Sequence, residues 1–475
     1  MPVPTIVNVK QHFKSRVASH LKSFNRPLAS PPVPSPDRAI HRLHPTLDQL
    51  PFEILVEIFG YCPSDFPRIG SQEPPLTLAR VCKTWYQLVM NTPRLWSCFE
   101  LVLEGTGSSQ PENDEMKRRL ILWLHRSRQQ PLSFRIIDPP GTAPDSRSAE
   151  LLELLLPYAP RWQNVYFHGP GRGLLPLQGQ CLGESLRSIS LQLCKPWSHG
   201  FDVSRFAIPW SQLSGLDLQF YQDNVHFLDE CFKILSAAKK LSWCTLNAEC
   251  SFTLSPSTGK LVLPSLKSLK LIAQGIDPSG GAEMSLLGFL ERLSLTSLRE
   301  FSLEWLVSST HDAPGSHWRV AHTRLADFLQ SSASSLESLG LAYLPVHDHE
   351  IIRCLDELPR LRCLDLKYAL TTQQLDPITD VMLQYLTPTN PLPVSQRDQR
   401  GGLSPLPGLR ALKLQCSGEF LNREILLALV EGRAGQGLKE FEMLTLKSLS
   451  KEFRDRIGAW RSRGLHFSAS TLNVR

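Results

Sequence analysis

The sequence predicts an α/β protein: a small helical unit near the N-terminus, then an irregular solenoid with parallel strands inside and helices outside. Three observations carry this prediction. Leucine supplies 80 of the 475 residues, well above its usual share. The pattern L-x-x-L-x-L recurs from Leu186 to Met443, mostly at start-to-start spacings of 25 to 32 residues. Between its copies lie apolar residues at i, i+1, i+4 spacing, so strand alternates with helix along the chain.

Residues 1–45 hold seven basic residues, Lys10, Lys14, Arg16, Lys22, Arg26, Arg38 and Arg42, against one acid, Asp37. The whole formal charge of +6 therefore sits in this segment, and the remainder of the chain is balanced. A neutral body argues against a broad nucleic-acid surface. Residues 27–36 contain five prolines and read as an extended linker. Upstream, Val9, Phe13, Val17, Leu21 and Phe24 could line a basic amphipathic helix. That would suit a presequence or a surface anchor; the blander alternative, which the domain reading adopts, is a disordered basic tail.

Residues 46–98 change character. Pro51 suits a first helical position and Asp48 a cap, and Ile54, Leu55, Ile58 and Phe59 form an apolar stripe. Leu76–Met90 repeats the design, with Leu78, Val81, Cys82, Trp85, Leu88 and Val89 on one face. Asn91-Thr92-Pro93 stops it before Leu95-Trp96. So small a unit has more apolar stripe than it can cover alone. Two alternatives stay open: the excess packs on the rest of the chain, or it forms an interface anchored by Trp85 and Trp96.

The stretch Leu50-Pro51-x-Glu53-Ile54-Leu55-x-x-Ile58-Phe59, then Val81-Cys82-Lys83-x-Trp85, then Pro93-x-Leu95-Trp96, resembles an F-box. The resemblance implies docking to the Skp-type adaptor of an SCF-type cullin-RING ubiquitin ligase, and through it to a cullin. It implies contact through Leu50, Pro51, Ile54, Leu55, Ile58, Phe59, Val81, Cys82, Trp85, Leu95 and Trp96. The stretch Pro63–Pro75 departs from the family pattern, being longer and richer in proline.

Residues 99–450 read as the repeat array. Phe99-Leu101-Leu103 and Leu132-Phe134-Ile136 suit capping strands, and Trp162-x-x-Val165-x-Phe167 is a looser copy of the motif. Nine full copies begin at Leu186, Leu213, Leu241, Leu266, Leu298, Leu336, Leu361, Leu409 and Leu438. Insertions are expected at 306–320 and 387–408, and 451–475 reads as a C-terminal cap or tail. Each inward leucine gains about 1.5–3 kcal/mol by burial, but only stacked neighbours exclude water from it. The array resembles the leucine-rich repeats often found behind an F-box. The usual polar ladder position is irregular here, occupied by Cys194, Tyr221, Glu249, Leu306, Leu344 and Ala369. Side chains flanking the strand leucines would face a target protein. They include Asp217, Gln219, Trp243, Asn247, Lys270, Glu300, Glu304, Asp365, Lys367, Lys413, Glu440 and Glu442. Asp217, Trp243, Glu304, Asp365 and Lys367 are the candidates for target contact.

No catalytic constellation stands out. His347-Asp348-His349-Glu350 precedes a helix, where acids suit the dipole, and its histidines at i, i+2 would face apart. Gly169–Gly173 lacks the ending of a phosphate loop and reads as a turn. Eleven scattered cysteines without a C-x-x-C pair suit reduced, buried thiols in the cytoplasm or nucleus. No run approaches the roughly 18–20 apolar residues of a membrane span. The expectation is a protein-binding molecule with no cofactor, metal, nucleic acid or membrane partner: a target-recognition subunit or, alternatively, a non-degradative scaffold whose helical unit caps the array.

Overall fold

The computed structural model describes residues 50–70, 72–103, 110–139, 147–193, 206–220, 226–250, 259–277, 281–309, 318–368, 376–388, 405–418, 421–446, 455–456, 458, 460–461 and 464–471. The basic tail, Asp48, Cys194, Tyr221 and Ala369 lie outside them, as does most of each expected insertion. The chain forms two compact units, Met1–Val165 and Tyr166–Arg475.

In the first unit, α1 spans Phe52–Tyr61. Pro51 stands just before it with φ −53° and ψ 146°, not inside it as the sequence suggested, and its carbonyl accepts the Leu55 N–H at 3.1 Å. The helix expected over 76–90 is broken in two. Leu78–Arg80 makes a 3₁₀ turn, Cys82 is extended at φ −157° and ψ 170°, and α2 runs Lys83–Met90. Cys82 caps α2, its Sγ accepting the Trp85 N–H at 3.5 Å. Pro93–Trp96 forms a second 3₁₀ turn, and Trp96 Nε1 donates to the Val89 carbonyl at 2.9 Å.

The unit continues well past residue 98. Strands β1 (Cys98–Val102) and β2 (Leu132–Ile137) pair in parallel, with Phe99 opposite Phe134 and Leu101 opposite Ile136. Helices α3 (Gln110–Ser127) and α4 (Arg147–Leu155) were not singled out in the sequence. Trp96 packs edge-on to Trp123 of α3 at 4.8 Å between ring centroids. The proline-rich stretch has a structural use. Glu100 N–H donates to the Pro67 carbonyl and Ile69 N–H to the Glu100 carbonyl, so Arg68 pairs with the outer side of β1. Strand β3 (Trp162–Gly169) leads from the first unit into the second.

Among the described residues of the second unit, ten strands follow one another across the main sheet: β4 (Ser188–Leu193), β5 (Gly215–Phe220), β6 (Trp243–Glu249), β7 (Ser268–Asp277), β8 (Glu300–Ser309), β9 (Ser338–Ala342), β10 (Cys363–Lys367), β11 (Ala411–Cys416), β12 (Glu440–Thr445) and β13 (His466–Thr471), with short pairings of His226–Phe227 beside β6 and of Leu261–Val262 with Leu293–Ser294. Each of the ten pairs in parallel with the next in chain order. All nine full motif copies open a strand two residues after their first leucine. The register explains why. One buried column runs Ile189, Leu216, Cys244, Leu269, Phe301, Leu339, Leu364, Leu412, Phe441, Phe467. A second runs from Leu191 through Leu218 and Leu246 to Leu414 and Met443. A slip of one residue on any strand would turn both columns to solvent, so the leucine period itself specifies the pairing.

Helices α5 (Leu228–Ala237), α6 (Ala282–Glu291), α7 (Trp318–Ser331), α8 (Asp348–Asp356), α9 (Asp380–Leu386) and α10 (Arg423–Gly435) cover these columns, as Phe328 does against Phe301 at 5.2 Å. The array is solenoid-like, with strands inside and helices outside. Two features escaped the sequence reading. Helix α7 begins within the expected insertion at 306–320, and within the segment read as a cap or tail, β13 pairs with β12.

Candidate functional site

The structure divides the F-box-like residues into two sets. Leu55, Phe59, Trp85, Leu95 and Trp96 are buried. Phe59 and Trp85 pack ring to ring at 4.6 Å, and Arg126 covers Trp96. These five form the packed core that presents the others. The second set is accessible. Pro51, Ile54, Val81 and Cys82 are exposed, and Leu50 and Ile58 are half-buried. Three exposed apolar residues join them that sequence reasoning did not name: Phe52, Tyr61 and Tyr86. Ile54, Ile58 and Tyr61 follow i, i+4, i+7 on α1 and form one stripe, a signal that was legible in the periodicity. Cys82 and Tyr86 share a face of the second element, where Tyr86 N–H donates to the Cys82 carbonyl at 2.9 Å.

The helix-free face of the second unit's sheet holds the other candidates. Trp243 is 38% exposed, and its indole lies against Gly215 of the neighbouring strand, where a Cβ would stand 2.3 Å from the ring. Asp217, two residues on from Gly215, is buried. Its Oδ2 accepts from Ser190 Oγ at 2.8 Å and Gln192 Nε2 at 3.0 Å, and its Oδ1 from Gln219 Nε2 at 2.9 Å. Gln192 in turn accepts from the Tyr166 hydroxyl at 2.9 Å. Asp217 is thus a node of the surface and not a free charge. Glu304 pairs with Lys270 at 3.5 Å, Asp365 with Lys367 at 3.1 Å, and Lys413 with both Glu440 and Glu442.

Asn247, expected on this face, points inward at 1% exposure. Its Nδ2 donates to the Phe220 carbonyl at 2.6 Å, and Gln274 Nε2 donates to the same carbonyl at 3.1 Å. Gln415 does the same for the Tyr368 carbonyl at 3.2 Å. A polar ladder therefore exists: Gln274 stands at the position the motif spacing gives, three residues after Leu271, whereas Asn247 and Gln415 directly follow Leu246 and Leu414. It satisfies carbonyls that strand pairing leaves open.

The remaining singled-out motifs are structural. His347 caps α8, and its backbone N–H donates to Glu350 at 2.8 Å, a reciprocal capping box. Its ring stacks on His349 at 5.7 Å; the two do not face apart, because His347 is extended and lies outside the helix. Gly171–Leu177 forms a 3₁₀ turn. Burial pushes the Cys231, Cys354 and Cys416 thiols up to about 12 and Cys244 well above its ordinary value, so all four stay protonated near neutral pH. Among the described residues, no group of three His, Cys, Asp or Glu side chains is placed to hold a metal ion, and no helix is long and apolar enough to cross a membrane.

Residues 47–101 match the model of the F-box-like family. No curated protein matches the chain. One solved structure, a structural-genomics protein from Bacteroides fragilis, is 12% identical over 79% of this chain and 74% of its own, with a TM-score of 0.27, too slight a likeness to inform fold or function. The finding that bears on function is local: the chain carries an F-box-like domain at residues 47–101.

Proposed function

We propose that this protein is the target-recognition subunit of an SCF-type cullin-RING ubiquitin ligase. The F-box-like domain docks a Skp-type adaptor, and through it a cullin, while the repeat array holds a target protein. The observation that carries this reading is the exposed apolar set Pro51, Phe52, Ile54, Val81 and Tyr86, standing over a buried core of Leu55, Phe59, Trp85, Leu95 and Trp96. Exposed apolar residues over a packed core suit an interface. The protein's own residues then do no chemistry; holding a target near a ubiquitin-loaded enzyme raises its effective concentration.

Co-purification with a Skp-type adaptor tests the reading. Wild type should bind, and Ile54→Glu with Val81→Glu should not, in a protein whose circular dichroism is unchanged. Binding that survives both substitutions in a folded protein sinks the proposal. A second reading, that the domain only caps the array in a scaffold, draws on the packing of Trp96 against Trp123 and of Arg68 beside β1. It predicts that the wild-type protein captures no adaptor.

A further inference from the structure

We propose that the rim of the array where its strands begin binds an extended acidic segment of a partner protein. The sheet register assembles this rim from distant parts of the chain. Arg299 N–H donates to the Lys267 carbonyl, Glu337 to Arg299, Arg362 to Glu337, Arg410 to Arg362 and Lys439 to Arg410, each at 2.7 or 2.8 Å. These six residues therefore stand side by side, each just before its strand, and five of them are basic. At about 4.8 Å between strands the row spans about 24 Å. All five basic residues are exposed. Glu337 pairs with Arg362 at 3.1 Å; among the described residues, Lys267, Arg299, Arg410 and Lys439 make no ion pair.

Aligned like charges on neighbouring strands destabilise a sheet. The body of the chain has as many acids as bases, so five bases to one acid along this row is not a consequence of composition. An anion laid along the row would relieve the repulsion.

The flanks select its kind. The row is one side chain wide, and Glu300 and Glu440 follow Arg299 and Lys439 directly. Those carboxylates oppose the breadth of a nucleic-acid duplex. No residue that follows a basic member of the row is aromatic, so single-stranded bases find no stacking platform. A single extended peptide fits: at about 3.3 Å per residue, roughly seven residues cover the row. Acidic side chains on that peptide supply the complementary charge. The inference rests on the reading that the array holds a protein target, but not on adaptor docking.

The test uses the full chain and three labelled probes: a short peptide of alternating Glu and Ser, its Gln/Ser counterpart, and oligothymidylate. The acidic peptide should bind at low ionic strength and weaken as salt screens the row, and the neutral peptide should not bind. Arg299→Glu, Arg410→Glu and Lys439→Glu together should lower affinity by about tenfold or more. Arg353→Glu with Arg423→Glu, exposed bases on α8 and at the start of α10 and not in the row, should change it by less than about twofold. If the triple reversal does not fold, Arg299→Gln with Lys439→Gln must still weaken binding. The proposal is overturned if the acidic peptide does not bind, if both sets of reversals cost the same, or if oligothymidylate binds more tightly than the peptide. Adaptor co-purification by the row variants should equal wild type, which separates this test from that of the F-box-like domain.

Discussion

Single residues in this molecule often hold backbone in place instead of facing a ligand. Arg433 is 1% exposed, and its guanidinium donates to the carbonyls of Leu386, Leu406 and Pro405 at 2.6, 2.8 and 2.6 Å. Burial pulls its pKa down to about 10. Arg433→Met should cost about 3–5 kcal/mol in urea unfolding, since it strands three carbonyls, and Arg433→Lys should not restore the loss, because one ammonium cannot span all three directions. Gly215 is small for a different reason. A methyl there meets the Trp243 indole, so Gly215→Ala should cost about 1–3 kcal/mol, and that cost should vanish in a Trp243→Ala background. A double-mutant cycle measures it.

At the scale of elements, α1 has a supporting face and a presenting face. Leu55→Ala and Phe59→Ala should each destabilise the first unit by about 2–5 kcal/mol, whereas Ile54→Ala should cost less than about 1 kcal/mol. Equal costs would mean that Ile54 is core. The apolar period of α1 was legible in the sequence, but which apolar residues face inward was not. Helix periodicity names a stripe; the width of the covering surface decides how much of it is buried. The same limit explains α2. Its apolar positions ran on from Leu76 without interruption, whereas the backbone takes a 3₁₀ turn at Leu78–Arg80 and is extended at Cys82 before the helix begins. On the array, the basic row gives an independent prediction: Arg410→Ser should leave stability unchanged or raise it by a few tenths of a kcal/mol, because it removes a like-charge neighbour.

For the whole molecule, the buried thiols set a pH limit. In the unfolded chain Cys231, Cys354 and Cys416 ionise near about 8.5. In the fold burial holds them at about 12. Between those values the folded state binds more protons than the unfolded state, so stability is fully present below about pH 8.5 and falls as pH rises toward 12. The urea midpoint should be lower at about pH 10 than at about pH 7.5, and replacing the three cysteines with alanine should flatten the difference. An unchanged midpoint in wild type would refute the assignment. Alkylation of the native protein near neutral pH should reach the exposed Cys82 and Cys181 well before these three.

The sequence by itself determined the architecture of the array. Leucines at a constant phase can be buried only if each copy opens a parallel strand beside the last, so pattern, strand order and register are one fact. It also determined the F-box-like domain, because its three pieces lie close together in the chain. Tertiary structure decided the rest. Asn247 turned inward because a carbonyl on the neighbouring strand needed a donor, and β13 pairs along β12, where Phe467 stacks on Phe441 and extends the first buried column. The formal charge of +6 belongs to residues 1–45, with a balanced body behind it. Balance over the body concealed a local imbalance, since residues far apart in sequence become neighbours only across a sheet. No window along the chain brings Lys267, Arg299, Arg362, Arg410 and Lys439 together; the hydrogen-bond ladder does.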